Sequence, residues 1–257
     1  MENNNTQTTA LIDADSLIYI ACYCKPDEPK TLDDCKFIIS KLIQDIVDNT
    51  RASNYLLFLT VGRGFRYKVY PAYKANRKGE KPVHFNEVKQ FLIDKYGAIH
   101  HPELEADDLC LISNKVIPNS FICAVDKDIL KLEGKHYNYK SNNWVDTSKH
   151  EALVHFFTSL ITGDSVDNIK GIPGKGEKFA EKLFSVGKMW TDEEANYDNN
   201  VQFYRNTVFQ AYLDHYGEYE GIHHFAVNYK CLKILDTWSE SLDFLKYYTN
   251  DDKEGNN

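Results

Sequence analysis

The chain has 257 residues, of which 42% are hydrophobic and 13% aromatic; this supplies a packed core and excludes a disordered chain. The formal net charge of −8 excludes binding of nucleic acid by overall charge alone, so the distribution of charge matters more than its sum. The sequence shows no apolar leader and no run of about 18 apolar residues, so we expect a cytoplasmic protein without a membrane span. Cys22 and Cys24 lack the further ligands of a zinc site, and buried thiols are expected.

Apolar runs alternate with amphipathic stretches through the first half of the chain. A helix between two buried strands is typical of βαβ units, so the alternation predicts an α/β fold with a parallel sheet. Strands are predicted at 10–12, 54–59 and 121–125, and helices at 37–47, at 85–96 with Gly97 as the stop, and after residue 108. Residues 140–147 are predicted to be a loop or a hairpin, and a last helical stretch is expected near 229–235.

Acidic residues follow several of these apolar segments. Asp13 ends the first strand, and Asp126 and Asp128 follow the third. The carboxyl ends of parallel strands are where open α/β sheets bind ligands. Each acid also has a structural explanation: Asp13 can cap the next helix, and the pair after the third strand can form a turn. A further cluster precedes the predicted helix after residue 108, where acids can also complement a helix dipole: Glu105, Asp107 and Asp108.

A basic segment rich in aromatic residues spans 63–81. It holds seven lysines and arginines with only one acid, and four aromatic rings lie between them. Bases neutralise phosphates and aromatic rings stack on unpaired bases, so the mixture favours nucleic-acid binding over a merely solvated surface.

The stretch 158–184 combines acids with a glycine-rich loop. Asp164 and Asp167 are three residues apart, and one helical turn would point both carboxylates the same way. Directly after them, Gly171–Gly176 can turn several backbone N–H groups toward one phosphate, ahead of a helix with apolar residues near 179–184. We therefore predict a helix, an anion-binding loop and a second helix; a surface turn between two core helices is the alternative.

Taken together, the carboxylates predict a site for hard cations. So many acids at one edge of a sheet cannot all stay ionised without positive ions, and oxygen ligands favour Mg²⁺ or Mn²⁺ over zinc. Two such ions about 4 Å apart can activate a water and stabilise the leaving oxygen of a phosphodiester.

Five segments in this order resemble the 5′-nuclease family, which includes bacteriophage 5′-exonucleases and flap endonucleases and the 5′-nuclease domain of bacterial DNA polymerase I. The segments are LIDADSLIY at 11–19, FRYKVYPAYKANR at 65–77, ELEADD at 103–108, AVDKD at 124–128 and GDSVDNIKGIPGKG at 163–176. The resemblance covers residues 10–185; the remainder is not diagnostic.

The resemblance implies an α/β fold with a PIN-like parallel sheet flanked by helices and a C-terminal helix–three-turn–helix DNA-binding subdomain. We expect the catalytic domain at 9–150 with a short arch around 70–100, the helical subdomain at 151–250, and loose tails at 1–8 and 251–257. The implied activity is that of a metal-dependent 5′–3′ exonuclease or structure-specific flap endonuclease in replication or repair, in a bacterium or a phage-infected cell. The implied substrate is DNA with 5′ ends, flaps or branches, with RNA primers or RNA–DNA hybrids left open, and the implied state is a monomer.

The resemblance also assigns roles to individual residues. The first metal ion would be held by Asp13, Glu105 and Asp107, with Asp108 in support. The second would be held by Asp126, Asp128, Asp164 and Asp167. Beside the scissile phosphate it implies Lys74, Arg77 and Tyr73. DNA phosphates would be bound by Arg66, Lys68, Lys78, Lys170, Gly171, Gly174, Lys175 and Gly176, with a K⁺ ion at the Gly171–Gly176 loop.

Two departures from the family pattern leave alternatives open. The family commonly has an aspartate after the second strand, whereas this chain has Thr60, whose hydroxyl could at most hold a metal-bound water. The stretch between Asn76 and Glu105 is short for an arch that admits a single strand, so exonuclease action is better supported than flap threading. The second hypothesis is a catalytically silent protein that binds DNA structures. A small PIN-like ribonuclease is disfavoured, because such an enzyme would lack the Gly171–Gly176 loop.

Overall fold

The structure is a computed structural model that describes residues 7–25, 27–185 and 197–237. The chain divides into two compact units. The sheet unit comprises the described parts of Met1–Gly64, Gly79–Asp146 and Ile234–Asn257, and the helical unit comprises those of Phe65–Lys78 and Thr147–Lys233. The predicted tails lie outside the described residues, except for Gln7 and Thr8.

The sheet unit is built on six strands in the order β3-β2-β1-β4-β5-β6. Neighbouring strands from β3 through β5 pair in parallel, which confirms the predicted α/β class with its parallel sheet. The strands are β1 (Thr9–Asp13), β2 (Asn54–Thr60), β3 (Ile99–His101), β4 (Ser120–Ala124), β5 (Gly134–Asn138) and β6 (Asn143–Thr147).

The sheet is buried on both faces at its central strand β1, where successive residues, which point to opposite sides, are both buried. In β1, Ala10 and Ile12 join the core formed with α1, α2 and α4, whereas Leu11 between them is fully buried outside that cluster. Helix α5 packs on β1, β2 and β4. The helices of this part of the chain are α1 (Asp15–Cys22), α2 (Leu32–Thr50), α4 (Phe85–Tyr96) and α5 (Ala106–Val116), and α3 (Gly64–Val69) leads into the helical unit.

Local signals set the ends of these helices. Thr31 and Asp34 form a capping box at the start of α2, each side chain accepting from the backbone of the other. Gly97 ends α4 in the left-handed conformation at φ 63°, as the sequence predicts. No described helix is long and apolar enough to cross a membrane.

The helical unit contains an antiparallel hairpin between two of its helices. Its elements are α6 (Lys149–Thr162), β7 (Gly163–Asp164), β8 (Ile169–Lys170), α7 (Glu177–Ser185), α8 (Tyr197–Tyr216) and α9 (Glu218–Leu232). The prediction of a helical turn over Asp164–Asp167 is therefore wrong: α6 stops at Thr162 and the chain enters the hairpin. The last helix also begins earlier than predicted, at Glu218.

Two glycines make this hairpin possible. A Cβ on Gly163 would lie 2.3 Å from the Gly171 nitrogen, and one on Gly171 would lie 2.2 Å from the Ile161 oxygen. The backbones on either side of the hairpin therefore approach too closely for any side chain. Gly163 also has φ 74°, a conformation that glycine adopts without strain.

Candidate active site

The candidate site residues fall into one group in each unit. In the sheet unit, Asp13 ends β1 and is 7% exposed, while Asp126 and Asp128 follow β4. Strands β1 and β4 are parallel neighbours with Ile12 opposite Cys123, so their carboxyl ends lie at the same edge of the sheet. The Asp126 carboxylate accepts the N–H of Asp128 at 2.8 Å and thereby shapes the turn after β4.

The start of α5 brings further acids to this edge. Glu105 is the N-cap residue and is buried, and Asp107 lies in the first turn. Burial raises the pKa of the Cys110 thiol, and the negative charges of Asp13 and Asp107 raise it further. The backbone at the start of α5 donates to the Thr60 hydroxyl at the end of β2, the parallel neighbour of β1, so the start of α5 lies at the edge of the sheet where β1 ends.

Asp108 has a structural role in this group. Its side chain is fully buried, and its two oxygens accept backbone N–H groups from Glu105 at 3.1 Å and from Leu235 at 3.0 Å. The carboxylate thus caps α5 and anchors the chain that follows the helical unit. These bonds favour the supporting role over direct metal ligation.

Asp15 is a carboxylate that sequence reasoning misses. It begins α1, and both of its oxygens lie 3.2 Å from the backbone nitrogen of Thr60 at the end of β2. Burial raises the pKa of Asp15, while the hydrogen bonds from Thr60 and the positive charge of Lys89 lower it. Only a long-range contact reveals this residue, since its local sequence reads as an ordinary first helical turn.

The donor chemistry of the sheet-unit carboxylates fits a hard divalent cation, because all of the ligands are oxygen atoms. Among the described residues, however, no group of three or more His, Cys, Asp or Glu side chains is arranged to hold a metal ion. The metal-binding roles of these carboxylates therefore remain proposals.

In the helical unit, three predicted active-site residues meet at Asp167. The Tyr73 hydroxyl donates to Asp167 Oδ2 at 2.8 Å, and Lys74 Nζ lies 3.7 Å from the same oxygen. Arg77 donates to Asp167 Oδ1. The side chains of Lys74 and Asp167 are 17% and 18% exposed, so one sheltered carboxylate is held by two cations and a phenol.

The backbone around Lys74 is held in an uncommon conformation. Lys74 has φ 55°, in the left-handed region, and its N–H donates to the Asp167 carbonyl at 2.9 Å. The Asn168 amide donates to the Ala72 carbonyl at 2.7 Å. These bonds fix the 72–74 segment against the turn between β7 and β8, and so place the Lys74 ammonium.

Asp164 organises the same turn. Its Oδ1 accepts the N–H of Val166 at 2.7 Å and of Asp167 at 3.4 Å. The turn, and not a helix, therefore sets the spacing between the two carboxylates.

Most of the predicted DNA-binding residues are accessible. Lys68, Lys78, Lys170, Gly174 and Gly176 are exposed, and Lys175 is half-buried. Gly174 has φ 72° with open space around its Cβ position, so its conformation and its accessibility both fit close approach of a ligand. Gly171 is buried, and backbone atoms of the hairpin fill the space beside it.

Arg66 is a correction to the sequence prediction. It is 2% exposed, and its guanidinium donates to the carbonyls of Cys231 at 3.0 Å and Lys233 at 2.8 Å. We therefore remove Arg66 from the DNA-binding set and assign it to the packing of α9. Tyr73 is also 2% exposed, so its ring is not accessible for stacking on a base, and its hydroxyl is bonded to Asp167.

Comparison with known proteins agrees with these observations. No protein-family model matches the chain. It is 29% identical over 166 residues to a 5′-3′ exonuclease of Buchnera aphidicola (subsp. Acyrthosiphon pisum), covering 57% of this chain and 56% of the relative. It is 27% identical over 209 residues to DNA polymerase I of Mycobacterium tuberculosis, covering 70% of this chain and 23% of the relative.

Solved structures show the same fold. A flap endonuclease of bacteriophage T5, solved with DNA and metal ions, superposes with a TM-score of 0.58 at 13% identity and covers 95% of this chain and 100% of its own. The catalytic core of Rad2 with a DNA substrate gives 0.51 at 14% identity over 94% of this chain and 88% of its own. The chain thus resembles the 5′-nuclease family in sequence and fold, as its motifs predict. It spans about half the length of the Buchnera relative, at 56%.

Proposed function

We propose that the chain is a metal-dependent 5′–3′ exonuclease or flap endonuclease that hydrolyses phosphodiesters in DNA. The observation that carries the proposal is the position of three acidic segments at the carboxyl edge of one parallel sheet: Asp13 ends β1, Asp126 and Asp128 follow β4, and Glu105 and Asp107 lie at the start of α5, whose backbone bonds the end of β2. Three separate stretches of sequence supply these acids, and capping or turn formation accounts for each stretch alone but not for their common location. The names of the similar sequences, 5′-3′ exonuclease and DNA polymerase I, support the same activity.

In the sheet unit, divalent ions would be held by the carboxylates named above. For Asp164 and Asp167 of the helical unit, the role of metal ligand is proposed from the resemblance to the family alone. Bound Mg²⁺ or Mn²⁺ would supply an activated water and charge stabilisation for the leaving oxygen. Two features leave room for the alternative of a silent DNA-binding protein: no described group of three ligands is arranged for a metal ion, and Thr60 carries no acid.

The chain's own residues contribute positive charge and positioning. Lys74 and Arg77 are cations that can stabilise negative charge as it develops on a phosphate, and Asp167 holds both of them. The Tyr73 hydroxyl fixes Asp167 from the buried side. The ordering of these groups before substrate binds favours catalysis, because less reorganisation is needed during the reaction.

Binding of DNA would use groups outside this cluster. The exposed lysines at 68, 78 and 170, the half-buried Lys175, and the exposed backbone at Gly174 and Gly176 are suited to duplex phosphates. The same proposal has four further parts. Helices α6 and α7 would form the helix–three-turn–helix element, and a K⁺ ion would bind at Gly171–Gly176. The protein would also act on RNA–DNA hybrids and would be a monomer.

The decisive experiment is incubation of a 5′-labelled branched DNA with the protein and Mg²⁺, with a chelator as the control. Release of short 5′ products that the chelator abolishes is the expected result. Tight binding of the branched DNA without cleavage, in Mg²⁺ and in Mn²⁺, would favour the silent binder. An unbranched duplex with a 5′ overhang in a parallel reaction separates exonuclease action from flap cleavage.

A further inference from the structure

Thr60 connects four elements of the sheet unit. It is the last residue of β2, and its N–H is shared by the two Asp15 oxygens at 3.2 Å each. Its carbonyl accepts from the Lys89 ammonium on α4. Its hydroxyl accepts the N–H of Ala106, on α5, at 2.9 Å. One threonine therefore uses all of its polar groups to hold α1, α4 and α5 at the end of β2.

Both ends of this network touch candidate metal ligands. The N–H of Asp15 donates to Asp13 Oδ1 at 3.1 Å, which orients the Asp13 carboxylate. Ala106 directly follows Glu105, so the Thr60 hydroxyl fixes the backbone from which the Glu105 side chain projects. The same few bonds thus set the positions of two carboxylates that come from distant parts of the sequence.

We infer that Asp15 and Thr60 are positioning residues for the carboxylates of Asp13 and Glu105. The expected effect on cleavage rests on the proposed function. The hydrogen-bond network is observed in the structure and does not depend on that function. Partners of this kind are expected to matter because the orientation of ligand side chains affects metal affinity, and their removal typically weakens binding by about 10- to 100-fold.

The chemistry of the network explains why position 60 is a threonine. The Thr60 hydroxyl accepts the Ala106 N–H while it adds no charge beside the Asp15 carboxylate. An ionised aspartate at this position would place a second negative charge against Asp15. From the sequence alone, the Thr60 hydroxyl could at most hold a metal-bound water, whereas in the structure the hydroxyl accepts a backbone N–H and a carboxylate from α1 lies against the Thr60 backbone.

The experiment compares Thr60→Val, Thr60→Ser and Asp15→Ala, with Thr50→Val as the matched control. Valine keeps the shape of threonine but has no hydroxyl, and the Thr50 hydroxyl bonds only within its own helix, to the Ile46 carbonyl at 2.7 Å and the Val47 carbonyl at 3.3 Å. Two quantities are measured: hydrogen exchange of the Ala106 amide without metal or DNA, and the Mg²⁺ concentration that gives half-maximal cleavage.

In Thr60→Val we expect exchange of the Ala106 amide to become about tenfold faster and the Mg²⁺ midpoint to rise about tenfold. Thr60→Ser should restore both, and Thr50→Val should change neither. The Asp15→Ala and Thr60→Val effects should be non-additive, because both act through one network.

Unchanged Ala106 exchange in Thr60→Val, or failure of serine to restore the midpoint, would overturn the inference. If the wild-type protein does not cleave DNA at all, the proposed function fails. In that case two measurements still test whether Asp15 and Thr60 form the network. They are the exchange rate of the Ala106 amide and a double-mutant cycle of the free energy of unfolding.

Discussion

Replacement of the buried Arg66 by methionine separates a structural role from a DNA-binding role. The substitution keeps much of the side-chain length but removes the donors to the Cys231 and Lys233 carbonyls, which accept at 3.0 and 2.8 Å. A hydrogen bond to a charged group contributes about 1.5–3 kcal/mol to stability. Two such bonds therefore predict a destabilisation of about 3–6 kcal/mol, which corresponds to a fall of roughly 10 °C in Tm.

The assay pairs unfolding with DNA binding. Thermal and urea unfolding, followed by circular dichroism, give the change in stability, and fluorescence anisotropy at 25 °C gives the affinity for a branched DNA. Lys68→Met is the matched control, because it also removes one positive charge two residues away, but from an exposed side chain. Arg66→Met should lower Tm and leave the affinity of the folded protein unchanged, whereas Lys68→Met should do the reverse.

A different pattern would refute this reasoning. If Arg66 bound a phosphate, Arg66→Met would leave Tm near the wild-type value and weaken DNA binding. The slope of log K against log salt would then become less steep by about 0.9, the change expected when one phosphate fewer is neutralised.

Three further predictions follow from the candidate site. Asp126→Asn and Asp164→Asn should abolish cleavage while DNA binding persists in a gel-shift assay, and parallel loss of both would contradict separate roles for acids and phosphate-binding groups. Lys74→Ala should lower the single-turnover rate by about 10²- to 10³-fold with little change in Kd, and a change confined to Kd would make Lys74 a DNA contact only. Gly174→Val should weaken duplex binding more than single-strand binding, with a modest fall in Tm because valine is strained at φ 72°. Gly163→Ala should lower Tm further, because its Cβ would also meet backbone atoms; equal weakening on both DNAs, measured on folded protein, would favour a plain turn.

The sequence predicts the elements whose signals are local. The predicted helix 85–96 and its end at Gly97 match the structure. Both signals, the spacing of apolar residues and a glycine that adopts the left-handed conformation, depend only on residues close together in sequence. The apolar runs that form β1, β2 and β4 are local signals of the same kind, whereas β3 and β5 have no such run and are not predicted. The turn at Asp164 is not predicted either, because its geometry depends on a close contact between Gly163 and Gly171, which spacing alone cannot indicate.

The candidate site is predictable in its residue types but less so in its connections. The charge of Arg66 suggests an exposed side chain. The two backbone carbonyls that accept hydrogen bonds from its buried guanidinium can be identified only in the tertiary structure. Asp15 escapes notice in the sequence because its partner Thr60 lies 45 residues away. In both cases a polar side chain is satisfied by a distant backbone group, and periodicity carries no information about such pairs.

The order in which the units are built has a consequence for synthesis on the ribosome. The helical unit needs Phe65–Lys78, which emerges well before Thr147, and the sheet unit receives Leu235 only after α9 has been made. Until then the Asp108 carboxylate lacks the Leu235 N–H that it accepts in the finished protein. Premature termination after α9 should therefore release a chain whose sheet unit is incomplete, and a truncated chain that begins at Thr147 should fail to give a native helical unit.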